Sequence, residues 1–360
     1  APDLVLRDLA SGNPSASVLP PVSQLATYIA NTPGLYGETL IRPKLETIGL
    51  EWLQPDLITP FELNLTNGAV DAVERVLASY RIAGGRVAVG DPCGQSGIRP
   101  LRRSRLEAAP VAIGVKGSQI EALTRQLSAG VQAVIITPRA HNPAGFGLSA
   151  GRAEAIRTLL ASYPQVLVIV DDHFSLLSSQ EYHHVVPANT RNWVLIRSMS
   201  KFLGPDLRMA FVASDAETSQ RLRQRLNAGT NWVSHILQDM AAGYMSSPGF
   251  TPSMLAARKR YLGQRQQLVS ALQQQGVTVS GHHDGLNVWV PLAQSSSTTV
   301  MQMAHRGWLI RPGEGFILDN ACSGVRITVS DLDEPETELI AKSLAGILAQ
   351  QPQIQAINRA

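Results

Sequence analysis

The chain has 360 residues, 44% of them hydrophobic and 16% charged, with 31 basic against 28 acidic side chains and a formal charge of +3. That composition excludes a disordered chain, and 29 glycines without a three-residue period exclude collagen. The longest apolar stretches, Val166–Val170 and Leu286–Leu292, fall far short of the roughly 20 residues that cross a bilayer, and so small a net charge does not argue for nucleic acid.

The segment up to Pro33, rich in Pro, Ser and Gly, reads as an extended arm lying on other parts of the protein. It opens Ala-Pro-Asp-Leu, with neither an initiator Met nor an apolar signal core, and reads as a trimmed chain or a fragment. Thr66-Asn67-Gly68-Ala69 is a turn, and Val70, Val73, Val76 and Leu77 then have the spacing of one helix face up to Tyr80. Arg86–Val89, Pro110–Val115, Val131–Ile136, Gln165–Val170, Trp193–Ile196 and Met209–Ala213 are short, apolar and rich in β-branched residues, as strands buried on both faces should be. Helical patterns over Gly117–Ser128 and Ser149–Ser162 lie between them. Strand alternating with helix predicts an α/β fold, a mostly parallel sheet flanked by helices. After Gly249 a long polar helix runs through Gln275. Strands around Val277–Ser280, Leu286–Val290 and Val325–Ser330 and a closing helix near Glu336–Gln350 predict a smaller α+β domain. Cys93 and Cys322 allow at most one disulfide, without zinc-ligand spacing, and this suits a reducing cytoplasm.

Open α/β sheets place ligands at the carboxyl ends of their strands, so the loops there are the informative ones. Trp193–Ile196 leads into Arg197-Ser198-Met199-Ser200-Lys201 and on to Pro205-Asp206-Leu207-Arg208. A lysine in this loop is either a solvated charge or the amine that forms an imine with an aldehyde, with Ser198, Ser200 and Arg208 placed to hold a phosphate. Val166–Val170 runs into Asp171-Asp172-His173. A carboxylate at the end of a buried strand is costly unless it caps a helix, joins a salt bridge or meets a positive partner such as a protonated pyridinium nitrogen. Ile135–Thr137 leads into Pro138-Arg139-Ala140-His141-Asn142-Pro143-Ala144-Gly145, where Asn-Pro-x-Gly is a common turn and Asn142 is also able to hydrogen-bond a ring hydroxyl. Thr66-Asn67-Gly68-Ala69-Val70 opens a helix whose free N–H groups and positive dipole end suit a phosphate.

In this order, Thr-Asn-Gly-Ala, Asn-Pro-x-Gly, the Asp-Asp pair, Ser-x-Ser-Lys-x-x-x-Pro-x-x-Arg and the late Gly324-Val325-Arg326-Ile327 resemble the fold-type-I pyridoxal-phosphate (PLP) proteins, whose archetype is aspartate aminotransferase. The resemblance covers essentially the whole chain. It implies pyridoxal 5'-phosphate as cofactor, Lys201 as the catalytic lysine that holds it as an internal aldimine, Asp171 as the partner of the pyridine nitrogen and Asn142 as a contact of the ring oxygen. Gly68, Ala69, Val70, Ser198, Ser200 and Arg208 are then the phosphate cup. Arg326 matches the arginine that clamps a substrate α-carboxylate; the alternative reading is a surface arginine on a strand. Tyr36, in Leu-Tyr-Gly, resembles the tyrosine sent across a homodimer interface to the partner's phosphate. The implied layout is an arm or part of the small domain over residues 1–34, a large PLP-binding domain over 35–249 and a small C-terminal domain over 250–360.

Two positions depart from the family. Its stacking aromatic is missing after Asp91-Pro92, where Cys93-Gly94-Gln95 follows, and His173 stands in place of a tyrosine that donates to the ring oxygen. A neutral histidine still donates one hydrogen bond. Asp8-Leu9-Ala10-Ser11-Gly12-Asn13-Pro14, Asp171-Asp172-His173-Phe174 and Leu226-Asn227-Ala228-Gly229-Thr230-Asn231-Trp232 are similar to the MocR branch of GntR-type transcription regulators, in particular those of vitamin B6 salvage. That resemblance implies a PLP-binding sensor and dimerisation domain whose winged-helix DNA reader is absent from this chain. The other reading is a free-standing PLP enzyme, a transaminase or a relative acting on an amino acid or amine.

Overall fold

The computed structural model describes residues 6–80, 84–114, 117–279, 284–319 and 323–350. Its strands are β1 (Arg7–Asp8), β2 (Glu62–Thr66), β3 (Arg86–Asp91), β4 (Glu107–Gly114), β5 (Gly117–Ser118), β6 (Ala133–Ile136), β7 (Leu167–Asp171), β8 (Trp193–Ser198), β9 (Ala210–Ser214), β10 (Asn287–Leu292), β11 (Trp308–Leu309), β12 (Arg311–Pro312) and β13 (Ser323–Thr328). Strands β2 to β9 make one eight-stranded sheet in the order β2-β9-β8-β7-β6-β3-β4-β5. Neighbours from β4 through β8 run parallel. Strand β9 is antiparallel to both β8 and β2. Two reversals restore direction, so β2 points the same way as β8 and ends at the same edge.

Alternating side chains fill the two faces of this sheet. Ala133 and Ile135, Leu167 and Ile169, and Val194 and Ile196 pack into one core, with Ala72, Val73, Val76 and Leu77 of the helix Ala69–Ser79. Val134 and Ile136, Val168 and Val170, and Trp193 and Leu195 pack into the core on the other face. Each of the buried Val, Leu and Ile side chains among them contributes about 1.5–3 kcal/mol. The expected mostly parallel α/β sheet is what the chain builds.

A second sheet, β10-β13-β12, is antiparallel. Val288, Val290, Val325 and Ile327 pack against Leu268 and Leu272 of the helix Phe250–Gln274 and Ile340 and Leu344 of the helix Glu334–Leu348. The latter starts with a capping box, in which Asp333 and Glu336 satisfy each other's backbone N–H groups. The opening segment is tied to this part: β1 pairs in parallel with β11, and Thr328 N–H donates to the Leu9 carbonyl at 2.8 Å.

Three expectations need correction. No strand forms at 277–279, which follow the helix turn at Gly276, and Ser280 lies outside the described residues, as does Cys322. The helix expected from Gly117 begins at Ile120, because Gly117 and Ser118 pair with the end of β4. The closing helix starts two residues earlier than expected, at its Asp333 cap. Among the described residues no helix is long and apolar enough to cross a membrane.

Candidate functional site

The shared edge of the large sheet collects the loops after β2, β3, β6, β7 and β8, and the start of β9, which runs the other way. Ala69, Val70, Asn142 and His173 line one cavity of about 230 Å³ there with Ser198, Ser200, Lys201 and Arg208. Asp171 lines a smaller cavity next to it, and Ser96, His141, Asn142 and His173 are walls of both.

Lys201 Nζ donates to the Gly12 carbonyl at 2.9 Å. Burial, and secondarily the Arg326 charge, lower its pKa to about 8, which brings the neutral amine within reach of physiological pH. Asp171 is 2% exposed at the end of β7. Its Oδ2 accepts from Ser96 Oγ at 3.3 Å and stands 3.6 Å from His173 Nδ1. Its Oδ1 is buried with no hydrogen-bond partner among the described residues. A buried carboxylate oxygen without a donor is costly, and a ring N–H is the donor that satisfies it. The residues present therefore fit a pyridinium-bearing cofactor.

Gly68 caps the helix Ala69–Ser79 at φ 94°, ψ 167°, a conformation essentially reserved for glycine. A Cβ there would lie 2.7 Å from a terminal nitrogen of Arg208. The guanidinium thus rests directly on the start of the helix, and Arg208 Nη2 donates to the Asn67 carbonyl at 3.2 Å. First-turn N–H groups have no acceptor within their helix, so this corner joins them to a cation. An anionic phosphate suits it.

Arg326, on β13, is 5% exposed, which overturns the reading of a surface arginine. Its Nη1 donates to Asn142 Oδ1 at 3.1 Å and its Nη2 to the Ala10 carbonyl at 2.5 Å. Burial, with the Arg311 charge, lowers its pKa to about 10, so it remains charged at neutral pH. Its Nε is buried without a partner among the described residues. The side chain is held on two sides and still offers N–H groups to a carboxylate.

His141 is buried, and burial together with the neighbouring His173 lowers its pKa to about 4. Cys93 is a packed small residue whose thiol is pushed up to about 12 by burial. Tyr36 is 92% exposed, sits edge-on to Trp232 at 5.5 Å and is outside the cavity of its own chain. Sequence reasoning missed Ser96, His141 and the carbonyls of Ala10 and Gly12. His141 stands beside Asn142 in a motif already singled out; the others carry no spacing signal.

The family model described as aminotransferase class I and II matches residues 7–344. The chain belongs to the class I and II aminotransferase family. Within that family it is 44% identical over 358 residues to the vitamin B6 salvage pathway transcriptional repressor PtsJ of Salmonella typhimurium, covering 99% of this chain and 81% of that protein. It is 28% identical over 263 residues to the HTH-type transcriptional regulator YdcR of Escherichia coli, covering 70% of this chain and 55% of that one. Among solved aminotransferases, the Pyrococcus horikoshii kynurenine aminotransferase superposes with a TM-score of 0.86 at 20% identity, over 96% of this chain and 91% of that chain. The multiple substrate aminotransferase of Thermococcus profundus superposes with 0.85 at 19% identity, over 97% and 92%. At that identity the likeness to the two aminotransferases speaks for the fold alone. The aminotransferase-family chain is a homologue of MocR-type regulators and of a regulator of the vitamin B6 pathway.

Proposed function

We propose that this chain is the PLP-binding effector domain of a MocR-type transcription regulator, a cytoplasmic sensor that also holds a homodimer. The observation that carries the cofactor is the pairing of a buried, low-pKa lysine with a buried carboxylate oxygen lacking a donor at the walls of adjoining cavities. The regulator reading is supported by the near full-length similarity to the PtsJ repressor. Bound there, pyridoxal phosphate would supply an aldehyde and a ring that accepts negative charge, and Lys201 would be the amine that holds it. Asp171 would hold the ring nitrogen, and Asn142 and His173 would hold the ring oxygen. Ala69, Val70, Ser198, Ser200 and Arg208 take the phosphate, with Gly68 giving Arg208 its room. Arg326 takes the carboxylate of an amino ligand, for which Nε is free. Tyr36, exposed and outside the cavity of its own chain, is the residue donated to the partner's site. DNA is read by a winged helix elsewhere in the protein, not by this chain.

Purified protein mixed with PLP is expected to develop a visible absorption band that Lys201→Ala loses; an unchanged band in the variant refutes the cofactor assignment. The set of Lys201, Asp171, Asn142, Arg208 and Arg326 serves a transaminase equally, so a second reading is a PLP-dependent enzyme. Single-turnover mixing with a panel of amino acids decides between them. Conversion of bound PLP to its amine form makes it an enzyme, and retained PLP without conversion makes it a sensor.

A further inference from the structure

Asp171 and Asp172 are consecutive, and the pleat sends them to opposite faces of the sheet. Asp171 continues the row of Leu167 and Ile169 toward the cavity, and Asp172 continues the row of Val168 and Val170 into the core behind it. On β8 the same alternation puts Ser198 at the cavity and Arg197 behind.

Behind the sheet the charged residues meet. Arg197 Nε donates to Asp172 Oδ2 at 3.0 Å, and Arg139 clasps the same carboxylate with Nε to Oδ1 at 3.0 Å and Nη2 to Oδ2 at 2.5 Å. Arg197 also donates to Asp56 and, through Nη1, to the Trp52 carbonyl at 2.8 Å. The Tyr182 ring lies against both guanidinium groups, at 5.4 and 5.2 Å. Asp172 is 0% and Arg197 1% exposed, and the two carboxylates balance the two cations.

Well-packed apolar side chains commonly stabilise a core as well as a buried ion cluster does, so stability alone does not account for this one. Its geometry does. Arg139 follows β6 three residues before Asn142, Asp172 follows Asp171 on β7, and Arg197 precedes Ser198 on β8. The two-pronged Arg139 fork and the single Arg197 N–H on one carboxylate fix distance and orientation together. We propose that Asp172, clasped by Arg139 and Arg197, is the positioning residue of the site: it locks the ends of three parallel strands so that Asn142, Asp171 and the Ser198–Lys201 loop face the cofactor cavity. The inference rests on the PLP reading for the identity of the ligand and on the hydrogen bonds alone for the lock.

The test compares wild type with Asp172→Asn and with Arg139→Gln, which leaves the Arg197 pair intact, and uses Leu344→Ala in the small-sheet core as a control for lost stability. Amide hydrogen exchange is followed without PLP, and PLP affinity by absorbance titration. Asp172→Asn is expected to accelerate exchange about tenfold in peptides spanning 138–142, 171–173 and 197–201, with Arg139→Gln intermediate and Leu344→Ala at wild-type rates. PLP affinity falls in the same order. Unchanged loops in both variants, or equal acceleration in Leu344→Ala, overturn the lock. If Asp172→Asn does not fold, Arg139→Gln alone carries the comparison. Loosened loops in a protein whose wild type binds no PLP uphold the lock and refute the cofactor reading.

Discussion

A Cβ placed on Gly94 would stand 3.2 Å from the Asn142 carbonyl oxygen and 3.5 Å from Asn142 Nδ2. The turn carrying Asn142 has closed onto the position where the family's stacking aromatic is expected, and Asn142 in turn holds Arg326. Stacking on a ring is worth about 0.5–1.5 kcal/mol, but an aromatic at 94 reaches it only by displacing Asn142. Gly94→Tyr is therefore expected to weaken PLP binding about tenfold, or ~1.4 kcal/mol, in an absorbance titration. Tighter binding would mean that the turn yields easily.

Lys201 is a base whose pKa falls from 10.5 to about 8 on folding. Its amine captures an aldehyde only when neutral, so the rate of PLP capture should rise with pH around a midpoint of about 8. Arg326 contributes to that lowering. Arg326→Met should then move the midpoint upward, measured by stopped-flow absorbance across a pH series.

For His141 the folded-state pKa of about 4 lies below the ordinary 6.5. The unfolded chain binds a proton that the folded chain refuses between these values, so stability falls as pH drops from 6.5 toward 4. The loss reaches up to about 3 kcal/mol at one pKa unit per 1.36 kcal/mol. His141→Gln should flatten this limb in urea unfolding curves recorded at several pH values.

Gly68→Ala combines a backbone conformation that side chains avoid with a 2.7 Å approach to Arg208. It is expected to cost about 1–3 kcal/mol in chemical unfolding. Inorganic phosphate should protect the variant against heat less than it protects wild type.

The sheet and the loop chemistry were legible for one reason. Strands β6, β7 and β8 are buried on both faces, so their apolar runs are continuous and end sharply at polar site residues. Edge strand β2 was not legible, because Glu62 and Asn64 interrupt its run; Asn64 is buried through its bond to Ser219 at 2.8 Å. The helix Gln95–Arg103 was hidden by Gly97 and Pro100, both poor helix formers, and with it went Ser96, the donor to Asp171. The carboxylate-clamp candidate carries its motif, but its partners Ala10 and Asn142 come from distant segments that no local pattern connects. Of the Asp-Asp pair only Asp171 carries a role by motif; Asp172 carries none, because its part depends on Arg139 and Arg197 behind the sheet.

The opening segment has a kinetic consequence. Gly12 N–H donates to Thr328 Oγ1 across 316 residues, and the Gly12 carbonyl receives Lys201 from the centre of the chain. Contacts so remote in sequence bring their full loop-closure entropy and gain stability only once both sheets stand. Gly12 also lies directly against the Arg326 guanidinium, so segments from near the two ends of the described chain meet beside Lys201. Refolding is therefore expected to seat the opening segment against Lys201 and Arg326 only after both sheets have formed.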